Sequence, residues 1–129
     1  MTDLTRIILR LARNPQVGFP SGDARHGYSL VAPLRSDGHL DVAAWQAHRA
    51  KCTVRRFDPS PDHGGPEIAD GLLTHHGTRW YFHYDEAFEG PDENVDHLGE
   101  HRLLIGDYVT ITRRGQALTY QVVEETDMT

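Results

Sequence analysis

The chain has 129 residues, a formal net charge of −6 and an apolar fraction of 38%, which together fit a single domain, 1–129, with a small core. Its only cysteine, Cys52, excludes an internal disulfide bond and a CxxC-type zinc site. Neither a secretory signal nor an apolar run long enough to cross a bilayer is recognised near Met1, so we expect a cytoplasmic protein without a membrane partner.

The negative charge is concentrated in one segment. Seven acidic residues and no Lys or Arg lie between Asp85 and Glu100, and the rest of the chain is close to neutral. Such a chain lacks the basic surface of a nucleic-acid-binding protein, so nucleic acid is not an expected partner. The acidic run itself is typical of a solvated loop.

The N-terminal third begins with an ambiguous apolar run. Residues 4–11 fit both a helical stripe and an alternating strand, and we favour the strand, with Ile7, Leu9 and Leu11 facing inward. Residues 14–25 form a loop rich in Gly and Pro, which Phe19 ties to the core. A second strand is predicted over residues 26–34.

A short helix is predicted next. Asp41 has the features of an N-cap, and residues 42–51 are strong helix formers in which Trp45 would pack on the sheet. The following strand, 53–57, carries Arg55 and Arg56, and adjacent strand residues point to opposite faces.

Two hairpins complete the prediction. The first covers residues 71–84 and turns at His76–Gly77, with Leu73 opposite Trp80. Its aromatic face comprises Trp80, Phe82 and Tyr84, and its opposite face carries Arg79, Tyr81 and His83. The second joins residues 108–112 to 118–123 through Gly115, and its predicted core residues are Val109, Ile111, Leu118, Tyr120 and Val122.

These elements predict a mainly β protein, all-β or α+β. We expect a small barrel or a strongly curved antiparallel sheet of six or seven strands, with one short helix near 41–51 covering an open end or face.

Nine histidines raise the question of a metal site. The segment from His97 to His101 matches the H-x-x-E-H pattern of inverted zinc peptidases, but Gly99 disfavours the helix that this chemistry requires. The acidic run also resembles a calcium loop, from Asp85 to Asp96, but Ala87 and Pro91 stand at two of its ligand positions and no helices are predicted beside it. No cofactor is predicted; a divalent metal held by His97, His101 and acidic-loop carboxylates remains an alternative. Cys52 follows the predicted helix rather than beginning it, which favours a structural role.

Three stretches resemble a family of small bacterial proteins of unknown function. They are His26-Gly-Tyr followed by Val-Ala-Pro-Leu34, Val54-Arg-Arg-Phe57, and His101 with Gly106-Asp-Tyr-Val-Thr-Ile111. The entry of Gly106 to Val109 into a strand is also similar to many small β-barrel modules. The resemblance implies no activity and no site residues.

The leading hypothesis is a non-catalytic module that binds a small molecule or a protein. Its expected recognition surface combines Arg55 or Arg56 with Tyr81 and His83, on the face away from Trp80. The competing hypothesis is a metal-dependent enzyme that uses His97, His101 and the acidic carboxylates. A third hypothesis is a homodimer through an exposed aromatic face.

Overall fold

The computed structural model describes residues 4–58, 68–84, 92–95, 98–113 and 115–128. Within these ranges, eight strands form a closed antiparallel barrel in which each strand pairs with its sequence neighbour and the last pairs with the first. The strands are β1 (Leu4–Leu11), β2 (Asp23–Pro33), β3 (Thr53–Phe57), β4 (Ile68–His76), β5 (Arg79–Tyr84), β6 (Glu93–Val95), β7 (Tyr108–Arg113) and β8 (Gln116–Asp127). The prediction of a mainly β fold is confirmed.

Side-chain alternation explains how these strands build the core. In β1 the buried residues are Ile7, Leu9 and Leu11, as the strand interpretation predicts, so the helical alternative is wrong. The predicted inward residues of β7 and β8 are likewise buried, and Gly115 adopts a φ of 80° between these strands. Strands β1, β7 and β8 therefore follow the two-residue side-chain period of a β-strand rather than the 3.6-residue period of a helix.

The single α-helix of the described residues closes one end of the barrel. This helix, α1 (Val42–Ala47), begins where the Asp41 carboxylate accepts a hydrogen bond from the Ala44 N–H, at 3.0 Å. It is shorter than predicted, because the chain continues as a 3-10 turn, Arg49–Lys51, before entering β3. None of the described helices is long and apolar enough to cross a membrane.

Trp45 fastens this helix to the barrel. Its indole N–H donates to the Leu73 carbonyl at 2.9 Å, and its ring meets Trp80 edge-on with centroids 5.5 Å apart. Leu98 and Leu103 are also buried, and they belong to the connection between β6 and β7 at this same end. We call this the helix end; its interior is apolar and filled.

Two predictions about the sheet were wrong. In the β4–β5 hairpin Leu73 pairs with Phe82 and His75 with Trp80, so the turn lies one residue later than predicted. The shift moves the cross-strand partner of each residue by two positions. Because side chains in a strand alternate every residue, the inward and outward faces stay as predicted. The acidic run was predicted as a loop, but it contains β6, the eighth strand that the sequence count missed.

The aromatic face of β5 lies inside the barrel. Trp80, Phe82 and Tyr84 are each no more than 2% exposed, so this aromatic face belongs to the core.

Replacing Trp80 by alanine should lower the free energy of unfolding by about 3–5 kcal/mol, because it removes a buried aromatic ring from the packed helix end. Chemical denaturation measures this loss. The matched control is Tyr108→Ala, since that ring is 56% exposed and its removal should change stability by about half a kcal/mol or less. Equal losses for the two variants would contradict the packing described here.

Candidate binding site at the polar end of the barrel

Buried polar groups gather at the end opposite α1. Among the described residues, the buried polar or charged ones are Asn14, His26, Arg56, Asp58 and Glu93. Each lies at or beside the end of the barrel where β1 meets β2 and where β3 and β5 finish. We call this the polar end. The two barrel ends therefore differ in chemistry, one apolar and one charged.

Small residues on β4 make room for the large polar ones. Arg56 pairs in register with Ala69, and Tyr84 pairs with Gly71, so two inward positions of β4 carry almost no side chain. A Cβ atom on Gly71 would lie 2.9 Å from the Tyr84 ring and closer still to the His83 carbonyl oxygen. The side chains of Arg56 and Tyr84 therefore occupy interior space that larger residues on β4 would fill.

Glu93 is the centre of this polar end. Its side chain is fully buried, and its carboxylate accepts hydrogen bonds from three different strands. The Tyr84 hydroxyl donates to Oε1 at 2.5 Å, and the Tyr28 hydroxyl donates to Oε2 at 3.0 Å. Arg56 Nη1 donates to the same Oε2 at 3.2 Å. One carboxylate therefore ties β2, β3 and β5 to β6.

Burial and charge act in opposite directions on Arg56. Burial is the largest single influence on the pKa of its guanidinium and lowers it, but Glu93, Tyr84 and Tyr28 together raise it by more. The pKa therefore lies above its usual value and the group stays charged. Burial, followed by the charge of Glu93, raises the pKa of Tyr28 well above its ordinary value. Tyr28 therefore remains a neutral phenol that donates to the carboxylate.

A second group of polar residues lies next to the first. Nε2 of His26 is 3.1 Å from the Tyr120 hydroxyl and 3.8 Å from Asp58 Oδ2. Both neighbours approach the same ring nitrogen. This arrangement holds the His26 ring beside Tyr120 and Asp58.

Aromatic rings join the two groups. Tyr28 meets Tyr120 edge-on with centroids 5.0 Å apart and meets Phe82 at 5.3 Å. The Arg56 guanidinium lies 5.0 Å from the centroid of the Tyr84 ring. The polar end is therefore a set of charges held between aromatic faces, in which position and orientation are tightly constrained.

The structure separates the two arginines proposed for recognition. Arg55 points outward and forms an exposed ion pair with Asp70 at 2.7 Å, while Arg56 points into the barrel. Adjacent residues of a pleated strand point to opposite faces, so the separation of Arg55 from Arg56 was predicted. Of the two, only Arg55 shares the outer surface with Tyr81 and His83.

Tyr81 and His83 lie on the outer face of β5, across β4 from Arg55. Arg79 stacks over the Tyr81 ring at 5.1 Å, and His83 Nδ1 lies 2.8 Å from Asp92 Oδ1. Each of these outward residues is thus engaged by a local neighbour.

Of the proposed metal ligands, His97 lies outside the described residues, as does most of the 85–96 window compared with a calcium loop. His101 is exposed and lines a surface cleft of about 360 Å³ at the helix end, together with His39, Arg102 and Asp107. Within the described part of the chain, no group of three or more His, Cys, Asp or Glu residues is placed to hold a metal ion.

Cys52 is fully buried between α1 and β3. Burial raises the pKa of its thiol to about 11, so the thiolate is not formed near neutral pH. The predicted structural role fits this environment.

Most of the polar end was not predicted from the sequence. Tyr84 was predicted on the aromatic face of its hairpin and Tyr120 in the core, but Tyr28 was not singled out. Glu93 was expected in a solvated loop because it lies in an acidic run. The pattern that marks β6 is buried Glu93 and Val95 on either side of exposed Asn94. Three residues are too few for this alternation to be recognised within an acidic run.

Comparisons with known proteins add no assignment. No protein-family model matches the chain, and no curated protein and no solved structure matches it significantly.

Adjacent arginines offer a matched test of the buried ion pair. Glu93→Gln removes the carboxylate from buried Arg56 and should lower the free energy of unfolding by about 3–5 kcal/mol. Asp70→Asn removes the partner of exposed Arg55 and should cost no more than about 1 kcal/mol. Urea denaturation of both variants measures the difference. Similar losses would show that Glu93 is not the centre of this end.

Proposed function

We propose that the protein is a non-catalytic binding module that holds a small ligand at the polar end of its barrel. The observation that carries this proposal is the fully buried Glu93 carboxylate, fixed by Tyr28, Tyr84 and Arg56. Eight-stranded barrels are the size at which side chains fill the interior or a single small molecule is held there. Because α1 closes the apolar helix end, a ligand would enter the barrel from the opposite, polar end.

Energetics favour binding over stability as the reason for these charges. A buried ion pair is often no more stabilising than apolar residues of the same volume, because both charges lose their hydration. The helix end of this barrel is filled by Trp45, Trp80, Leu98 and Leu103, so the chain can fill such a space with apolar groups. Charges kept at the other end are better explained by a ligand.

The chemistry of the polar end also fits binding rather than turnover. Ligand sites are mainly apolar and carry a few precisely placed polar groups. Here Tyr28 and Arg56 are held on one carboxylate, and His26 lies beside Tyr120 and Asp58. The Cys52 thiol lies between α1 and β3, away from this end.

Amide chemical-shift mapping tests the proposal. A library of small amines, carboxylates, phosphates, sugars and nucleosides is titrated into isotopically labelled protein. We expect at least one compound to shift the amides of Tyr28, Arg56, Tyr84 and Glu93 in a saturable way. Amides of α1 should remain unchanged.

Single hydroxyl deletions sharpen this test. Tyr84→Phe keeps the buried ring and removes one donor to Glu93, so it should weaken binding of the identified compound by about three- to tenfold. Tyr81→Phe, on the outer face of the same strand, is the control and should leave affinity unchanged. Shifts that cluster around Arg55, Tyr81 and His83 would contradict the interior site and favour the outer surface. Absence of any saturable shift would contradict both.

A further inference from the structure

Strand β8 continues past the point where its neighbour β7 begins. Residues 116–121 pair with β7, and Val122 bonds to the preceding turn, where it accepts from the Gly106 N–H at 2.8 Å and donates to the Asp107 carbonyl at 2.9 Å. Beyond Val122, the backbone of residues 124–126 pairs with β1, and no described strand lies on its other side. We call residues 123–126 the β8 edge.

One hydrogen bond fixes the direction in which the backbone of this edge points. The Met128 N–H donates to the Leu4 carbonyl at 2.9 Å, and the register places Thr126 opposite Arg6. Hydrogen-bonded and non-hydrogen-bonded residue pairs alternate along an antiparallel ladder. Thr126 therefore bonds to β1, whereas Glu125 directs its N–H and C=O groups away from β1, toward the side that is unpaired in the described part of the chain.

The side chain of Glu125 also lacks a partner. Glu125 pairs with inward-facing Ile7, so its carboxylate lies on the inner face of the sheet, and Oε1 is buried there with no hydrogen-bond donor among the described residues. Burial, followed by the charge of Asp107, raises the pKa of this carboxyl group. A buried oxygen without a donor is costly, and a cationic donor gives the strongest compensation. The chemistry that fits this edge is therefore cationic.

The surface beside the β8 edge can receive further side chains. Asp107, whose carbonyl bonds to Val122 where the edge begins, also lines the cleft of about 360 Å³ described above. The side chains of Ile105, Tyr108 and Val123 are exposed around the same point. Peptides that add a strand to a sheet gain affinity from backbone pairing and specificity from pockets for alternate side chains.

From the unpaired backbone and the unpartnered carboxylate of Glu125, we propose that the β8 edge binds an extended segment of a partner protein that carries a lysine or arginine. The segment adds a strand beside β8, and its cationic side chain donates to Glu125. A second copy of this chain fits less well, because a symmetric antiparallel pair centred on Glu125 sets two like charges opposite each other. The site lies at the helix end and is independent of the ligand site proposed at the polar end.

Short capped peptides of alternating valine and threonine test the proposal on the unmodified protein. Their central residue is lysine, its uncharged analogue norleucine, or glutamate. We expect the lysine peptide to shift the amides of residues 123–126 in a saturable way. It should bind at least about tenfold more tightly than the other two, because hydrogen bonds to charged groups are stronger than those between neutral groups.

Methylated peptides separate strand pairing from attraction between charges. Two versions of the lysine peptide carry N-methyl groups on alternate amides, so that each version blocks one edge of the peptide and keeps its charge. We expect one version to lose at least about tenfold in affinity and the other to bind as before, because an added strand pairs through one edge only.

A pair of neighbouring variants then locates the charge. Glu125→Gln should weaken binding of the lysine peptide about tenfold and leave the norleucine peptide unaffected. Glu124→Gln is the matched control, since Glu124 is exposed and its backbone bonds to β1; it should change affinity less than about twofold. An equal effect of the two variants would overturn the role of Glu125. Should Glu125→Gln fail to fold, the peptide comparison on the unmodified protein still decides.

Three other results would overturn the proposal. The first is no saturable shift of residues 123–126 with any of the peptides. The second is equal binding of the two methylated peptides, which would show attraction without strand pairing. The third is a shift of these amides with protein concentration alone, which would show that a second copy of the chain occupies the β8 edge. None of these results affects the site proposed at the polar end.

Discussion

The contact between Glu93 and Arg56 is the constraint on which the polar half of this barrel depends. A carboxylate with no solvent exposure needs compensation for its lost hydration, and here a guanidinium and two phenols supply it. The donors come from β2, β3 and β5, while Glu93 comes from the three-residue strand β6. The shortest of the described strands is therefore tied to three others by a single buried carboxylate.

Other features of the fold follow from that contact. Arg56 and Tyr84 need space inside the barrel, and β4 provides it by placing Ala69 and Gly71 opposite them. The helix end has no such need, so α1 closes it with Trp45, which meets Trp80 at 5.5 Å. One barrel thus has a filled apolar end and an opposite end that contains the buried charges.

Local patterns were sufficient to predict the elements that make up most of this architecture. β1, β7 and β8 alternate over enough residues for their inward faces to be assigned, and Asp41 marks the helix start directly. The predicted β4–β5 turn was one residue too early, which displaced each cross-strand pair by two positions. The inward and outward faces were still correct, because side chains in a strand repeat every two residues.

The polar end could not be predicted in the same way. Arg56 and Glu93 are 37 residues apart in the chain, and Tyr28 and Glu93 are 65 apart, so no local spacing links them. Glu93 also lies among acidic neighbours, where the local composition favours solvent. Only closure of the barrel brings these residues together, and the closure itself depends on β6.

A double-mutant cycle on the buried pair tests this account most directly. In the variant Arg56→Met/Glu93→Gln both charges are removed together, and the glutamine carbonyl keeps an acceptor for one of the two tyrosine hydroxyls. If Arg56 and Glu93 compensate each other, each single variant loses about 3–5 kcal/mol of unfolding free energy and the double variant loses far less than their sum. Losses that simply add would show that the two charges are held independently, and would contradict the central role of their contact.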